Sequence, residues 1–145
     1  MRTITKEFSW DMAHRLPNHK GKCFNVHGHT YKALITIVSD FLQEDNPEDW
    51  MIIDFWNLKD VKNWIDENRD HCYLGRSDDE VLKFLQEKNF KTFEIESSPT
   101  AEKMAEILFD KVSVFLPKHL RVEKVTVYET PTNYATFTEY EDLPF

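Results

Sequence analysis

TITKEFSWDMAH, residues 3–14, sets Ile4, Phe8, Trp10 and Met12 on one parity and Thr5, Glu7, Ser9 and Asp11 on the other. That is the period of a half-buried strand. His14 falls on the apolar parity, at the strand's end, ahead of the breaker Pro17. A second strand is expected over residues 29–39, HTYKALITIVS, which is rich in β-branched residues. Its odd positions, His29, Tyr31, Ala33, Ile35 and Ile37, share one face, and His27 joins them if the extended backbone reaches back that far. The two strands are close enough in sequence to pair antiparallel.

The period then changes. In NLKDVKNWIDEN, residues 57–68, Leu58, Val61, Trp64 and Ile65 recur at helical spacing, with Asp54 as an N-cap. A second helix follows SSPTAEKMAEILFDKVSVFL. Its stripe is Ala101, Met104, Ala105, Leu108, Val112 and Phe115, with Ser98 read as N-cap and Pro99 as the first helical residue. A short helical stretch lies around Asp78–Lys88. EKVTVYE and ATFTEYED are two further strands joined by the turn-prone TPTNY. The expectation is an α+β fold of order ββααββ, an antiparallel four-stranded sheet with two main helices on one face.

At 145 residues, residues 1–145 read as a single domain. With 41% hydrophobic and 30% charged residues the chain is a globular protein, not a disordered one. A formal net charge of −8 argues against a sequence-independent grip on nucleic acid or anionic membranes. The N-terminal MRTITKEFSW lacks an apolar targeting core, and no apolar run approaches the ~20 residues of a membrane span. Cys23 and Cys72 are therefore expected as free thiols in a reducing cytoplasm.

The chemistry gathers in CFNVHGHTY, residues 23–31. His27 and His29 are two apart, so an extended backbone points both to one side. Gly28 removes the side chain between them. Antiparallel pairing would bring His14 beside them, and three neutral imidazoles with an open fourth position is the layout of a catalytic zinc site. Copper, nickel or iron also suit three imidazoles. Cys23 reads three ways: a fourth ligand that closes a structural site, a nearby base or nucleophile, or a small buried hydrophobe. Asp70 precedes His71 at a helix end, where a carboxylate can orient an adjacent imidazole once the helix unwinds. Glu129 shares the parity of Val125 and Val127 and so points inward, where a carboxylate needs a partner. Arg15, His19, Lys20 and Lys22 form a cationic cluster suited to an anionic substrate, or simply a solvated loop.

FSWDMAHRLPNH, CFNVHGHTY, MIIDFWNLK, RDHCYL, SSPTAE and VYETPT occur in the order found in the 6-pyruvoyl-tetrahydropterin synthase family, and the chain resembles that family over nearly its whole length. The resemblance implies the tunnelling fold, assembled as a homohexamer of two trimers with active sites at subunit interfaces. It implies zinc as cofactor, held by His14, His27 and His29, with Cys23 as the catalytic thiol and Asp70 and His71 completing a proton relay. Glu129 would anchor a pterin ring, with Thr100 in the same pocket. Three residues separate Cys23 from His27, as in the branch of the family that makes 6-carboxytetrahydropterin from 7,8-dihydroneopterin triphosphate for 7-deazaguanine (queuosine-type) biosynthesis. The alternatives are the branch that makes 6-pyruvoyltetrahydropterin, an aldolase-like reaction, and a non-catalytic zinc-binding oligomer of the same fold. Cys72 departs from the family, where a second histidine often follows the Asp–His pair. The tail YEDLPF lies outside the motifs.

Overall fold

The computed structural model describes residues 1–139; the YEDLPF tail lies outside the described residues. Strand β1 (Arg2–His14) and strand β2 (His27–Ser39) pair antiparallel along their whole length, from Arg2↔Ser39 to His14↔His27. The alternation read from the sequence is obeyed. Phe8, Trp10, Met12 and His14 are buried on β1, and Tyr31, Ala33, Ile35 and Ile37 on the same face of β2. Helix α1 (Lys59–Asn68) follows a 3₁₀ turn, Phe55–Leu58, that Asp54 caps by accepting a bond from the Trp56 N–H. Strand β3 (Cys72–Arg76), helix α2 (Glu80–Glu87) and strand β4 (Thr92–Ile95) come next. Helix α3 (Ala101–Phe115) and strands β5 (Arg121–Tyr128) and β6 (Tyr134–Phe137) complete the described chain.

The sheet has six strands in the order β4-β3-β1-β2-β5-β6. Four of them, β1, β2, β5 and β6, are the expected antiparallel set. The expectation of four strands and two main helices is corrected by a wing: β3 pairs parallel with β1, β4 pairs parallel with β3, and α2 connects them. CYLGR escaped notice because all but its last residue are buried, so it shows no alternation, as is usual for strands covered on both faces.

That double burial also corrects the expectation of helices on one face. Cys72 and Leu74 join the core with Val61 and Ile65 of α1 and Met104, Ala105, Leu108 and Val112 of α3. Tyr73 and Gly75 point the other way. A Cβ at Gly75 would come within 3.0 Å of both the Leu82 Cβ and the Tyr73 ring, so α2 packs on the second face and glycine leaves it room. Opposite Thr36 and Ile37 of β2 the register slips, leaving one extra residue, Glu123, in β5, which lets Val122 and Val125 both face inward. Among the described residues no helix is long and apolar enough to cross a membrane.

Helix α3 begins later than expected. Thr100, not Ser98, is the N-cap, its hydroxyl accepting from the Lys103 N–H at 3.2 Å. Residues 97–99 stay outside the helix, and the Pro99 carbonyl is thereby free for another partner.

If α2 seals the second face, Leu82→Ala should lower stability by about 2–5 kcal/mol in urea unfolding. Val114→Ala on the exposed side of α3 should stay within about 0.5 kcal/mol. Equal effects would contradict the two-sided burial of β3.

Candidate active site

His14 and His27 are direct partners at the end of the β1–β2 ladder, and His29 stands one same-face position further along β2. Gly28 sits opposite Ala13, and a Cβ there would meet the Met12 carbonyl oxygen at 3.1 Å. Its backbone φ is not positive, so the reason for glycine is close approach between strands and not a bend. The three rings converge with centroids 4.6, 5.3 and 5.0 Å apart and interplanar angles of 61°, 79° and 89°. One nitrogen from each lies within 4.8 Å of the others.

Backbone carbonyls set the tautomers. His14 Nδ1 donates to the Pro99 oxygen at 2.8 Å, and His27 Nδ1 donates to the Asn25 oxygen at 2.7 Å. Each ring therefore turns an unprotonated Nε2 inward, and these two atoms stand 3.1 Å apart. Two lone pairs at that distance repel unless a cation or a proton lies between them. Zn–N bonds of 2.0–2.1 Å at the tetrahedral angle would put two nitrogens about 3.3–3.4 Å apart. The donor set thus fits a zinc ion.

Burial is the main reason that His14 is pulled down to about 4; the Pro99 carbonyl opposes the shift and the neighbouring His27 and His29 add to it. His29 is lowered as well, by burial first, with Glu129 opposing and His27 adding. Neutral imidazoles at pH 7 are what a metal requires. The Tyr31 hydroxyl lies 3.2 Å from both nitrogens of His14. Burial, then the Glu129 charge, pushes it far above the ordinary phenol range, so it stays protonated. Glu129 points inward as expected, with Oε1 4.0 Å from His14 Nε2. Thr100 caps α3 immediately after Pro99, which brings it to the same end of the sheet.

Cys23 lies half-buried on a 3₁₀ turn, Lys22–Phe24, and does not belong to the clustered donor atoms, which among the described residues are those of His14, His27 and His29. Cys72 is a free thiol in the core, its sulfur 3.8 Å from the Asn68 carbonyl oxygen and pushed up to about 11, chiefly by burial. Of the two thiols, only Cys23 is open to solvent.

Asp70 and His71 do face each other, Oδ2 to Nδ1 at 2.9 Å. The helix has ended, and His71 takes a φ of +54°, which allows adjacent side chains to meet. Both are pinned to Asp11: its N–H donates to Asp70 Oδ1 at 3.0 Å, and its carbonyl accepts from the His71 N–H at 2.7 Å. Burial alone would raise Asp70, but the Asp11 N–H and His71 outweigh it and hold the carboxyl below its usual range. The His71 side chain is 76% exposed. Asp11 lies three strand residues, about 10 Å, from His14, and among the described residues no hydrogen bond links the pair to the histidine cluster.

Arg15 is not an open cation for a substrate anion. It is 5% exposed, its Nε donating to the Phe24 oxygen at 2.9 Å and its Nη1 to Asp79 at 2.8 Å. His19, Lys20 and Lys22 remain exposed. Sequence reasoning missed the roles of Tyr31, Pro99 and Asn25 around the histidines. Tyr31 carried a signal, the shared parity with His29; the two carbonyls carried none, because every residue has one.

Three histidines converge at the connected end of an antiparallel strand pair, with a thiol on the adjoining turn, and their nitrogens are grouped as a metal ion could use them. Residues 3–140 match the family description 6-pyruvoyl tetrahydropterin synthase, and the chain belongs to that family. It is 37% identical over 141 residues to the Haemophilus influenzae protein named 6-carboxy-5,6,7,8-tetrahydropterin synthase, covering 94% of this chain and 98% of that one. Its fold is similar to an uncharacterized protein from Wolinella succinogenes, with a TM-score of 0.82 at 22% identity over 96% and 98% of the two chains. It is also similar to the Caenorhabditis elegans 6-pyruvoyl tetrahydropterin synthase, with a TM-score of 0.67 at 25% identity over 96% of each.

A proton binds His14 near pH 6.5 in the unfolded chain but only near 4 in the fold. The unfolded state therefore holds the extra proton between these values, and metal-free protein should lose stability as pH falls from about 6.5 to 4 and not above. Urea unfolding across pH 4–8 should show a shallower decline for His14→Gln; parallel curves would contradict the assignment.

Proposed function

We propose that the chain is a 6-carboxy-5,6,7,8-tetrahydropterin synthase, a lyase that converts 7,8-dihydroneopterin triphosphate to 6-carboxytetrahydropterin, acetaldehyde and triphosphate. The observation that carries this reading is the pairing of a three-imidazole cluster with a single reactive-type thiol, Cys23, three residues ahead of His27. The likeness to the Haemophilus protein points the same way. Its place is 7-deazaguanine (queuosine-type) biosynthesis in the cytoplasm, a setting supported by two free thiols.

His14, His27 and His29 would hold zinc, His14 and His27 through Nε2 atoms left unprotonated by the Pro99 and Asn25 carbonyls, His29 through a ring that burial keeps neutral. Zinc bound there supplies Lewis-acid polarisation of the substrate's side-chain oxygens. Cys23 as thiolate removes the carbon-bound proton beside those oxygens, and His71 relays a proton while Asp70 holds its ring. Glu129 accepts two parallel hydrogen bonds from the pterin amino group and ring N–H, with Thr100 at the same end of the pocket.

The relay needs more than one copy. The half-buried Asp70 and the exposed His71 sit beside Asp11, away from the chain's own histidine cluster, and among the described residues the β4 and β6 edges of the sheet pair with no further strand and could pair with other copies. This supports a homohexamer, built as a dimer of trimers, in which one chain's Asp70–His71 pair meets the zinc and thiol of the next.

Mass spectrometry of the products from dihydroneopterin triphosphate should find acetaldehyde and a carboxypterin. A pyruvoylpterin would overturn the reading in favour of the sister activity, and no turnover would leave a non-catalytic zinc protein. Cys23→Ala and His71→Ala should each lose at least a hundredfold in kcat while keeping zinc. Dissociated and reassembled together, the two variants should regain a measurable fraction of wild-type rate. Failure to complement would contradict sites shared between copies.

A further inference from the structure

The turn that carries Cys23 has no anchor of its own in the core. None of Lys22, Cys23 and Phe24 is buried, and Phe24 is 48% exposed. The bonds from Phe24 N–H to the Gly21 oxygen and from Asn25 N–H to the Lys22 oxygen shape the turn but do not tie it to the sheet. Two contacts tie it. The Leu16 N–H donates to the Cys23 carbonyl at 2.7 Å, and Arg15 Nε donates to the Phe24 carbonyl at 2.9 Å, with the guanidinium 4.5 Å from the Phe24 ring centroid.

Arg15 itself is fixed from behind. Asp79, 2% exposed, accepts from Arg15 Nη1 at 2.8 Å, from the Tyr73 hydroxyl at 2.5 Å and from the Val81 N–H at 3.1 Å as the N-cap of α2. The carboxylate is thus held by β3 and α2 before it meets the arginine. The same turn also presents the Asn25 carbonyl that orients His27.

We propose that Arg15 is a positioning residue for Cys23, its rigid fork bridging the buried Asp79 and the Phe24 carbonyl so that the thiol keeps one place relative to the histidine cluster. This rests on the reading of Cys23 as the catalytic thiol. Lysine cannot substitute: its single ammonium reaches Asp79 or the Phe24 carbonyl from one point and lacks the planar face that covers the Phe24 ring.

The test uses the full-length, zinc-loaded protein. Arg15→Lys should lower kcat at least tenfold with KM within threefold and zinc content unchanged. Hydrogen exchange at the Leu16 amide should quicken at least tenfold, while that of Trp10 in mid-strand stays as in the wild type. Should Arg15→Lys not fold, Asp79→Asn, which keeps an N-cap oxygen for Val81, replaces it with the same expected pattern. A variant with kcat within twofold and Leu16 protection intact, whatever its melting temperature, overturns the proposal. If the wild type turns over no substrate, the proposed function fails, and Leu16 protection alone decides whether Arg15 holds the turn.

Discussion

His14 faces His27 because the β1–β2 ladder runs without a slip from Arg2↔Ser39 to that pair. A shift of one residue would turn His27 and His29 to the other face of the sheet and expose Tyr31, Ala33, Ile35 and Ile37 with them. The hydrophobic pattern that makes a core and the convergence of the imidazoles are therefore one constraint. Trp10 stacked on its partner Tyr31, centroids 5.5 Å apart, pins the register just inside the site, and Tyr31 then extends its hydroxyl to His14. Packing energy spread along thirteen residues of each strand is spent at one end on holding three groups that would otherwise repel.

Around that end the structure relies on backbone groups. The Pro99 carbonyl can orient His14 because α3 starts at Ala101, which leaves residues 97–99 outside the helix. A helix capped at Ser98 would have drawn this segment into its first turn. The Asn25 carbonyl orients His27 because the Lys22–Phe24 turn is held against Leu16 and Arg15. Burying the Arg15–Asp79 pair brings no assured gain in stability over an apolar pair, since both charges lose water; removing one partner alone leaves a buried charge, which typically costs about 3–5 kcal/mol. Such a pair is better explained by the geometry it enforces than by the energy it contributes.

The two faces of the sheet have different tasks. One is sealed by α1 and α3. Among the described residues the other is covered by α2 only over the β3–β4 wing; across the central strands it carries polar pairs such as Thr5–Thr36, Lys32–Glu7 and Thr126–Thr136. The Asp70–His71 pair, with only His71 exposed, stands where the wing joins β1. On the proposed reading, an Asp70–His71 pair set apart from its own chain's histidine cluster would serve a neighbouring copy, which ties the proposed assembly to the proposed chemistry.

Much of this was legible in the sequence. The parity of residues 3–14 and 29–39, the His–Gly–His spacing, the inward parity of Glu129 and the apolar stripe of α3 are local periodic signals, and local geometry converts them into faces without further information. The Asp70–His71 contact was legible only as a condition, that the helix unwind, and the left-handed turn at His71 meets it. Of the wing only its helix, expected around Asp78–Lys88, was legible: β3 shows no alternation, β4 is four residues long, and what makes them strands is parallel pairing, β3 with a strand some sixty residues earlier and β4 with β3. Nor could the sequence say where Arg15 goes. Beside His19, Lys20 and Lys22 it reads as one more loop cation, and only the packing of α2 against Gly75 brings Asp79 to it. Residue types and spacing determined which groups could meet; the long-range pairing of β1 with both β2 and β3 decided which ones do, because hydrogen-bond register between distant segments leaves no periodic trace along the chain.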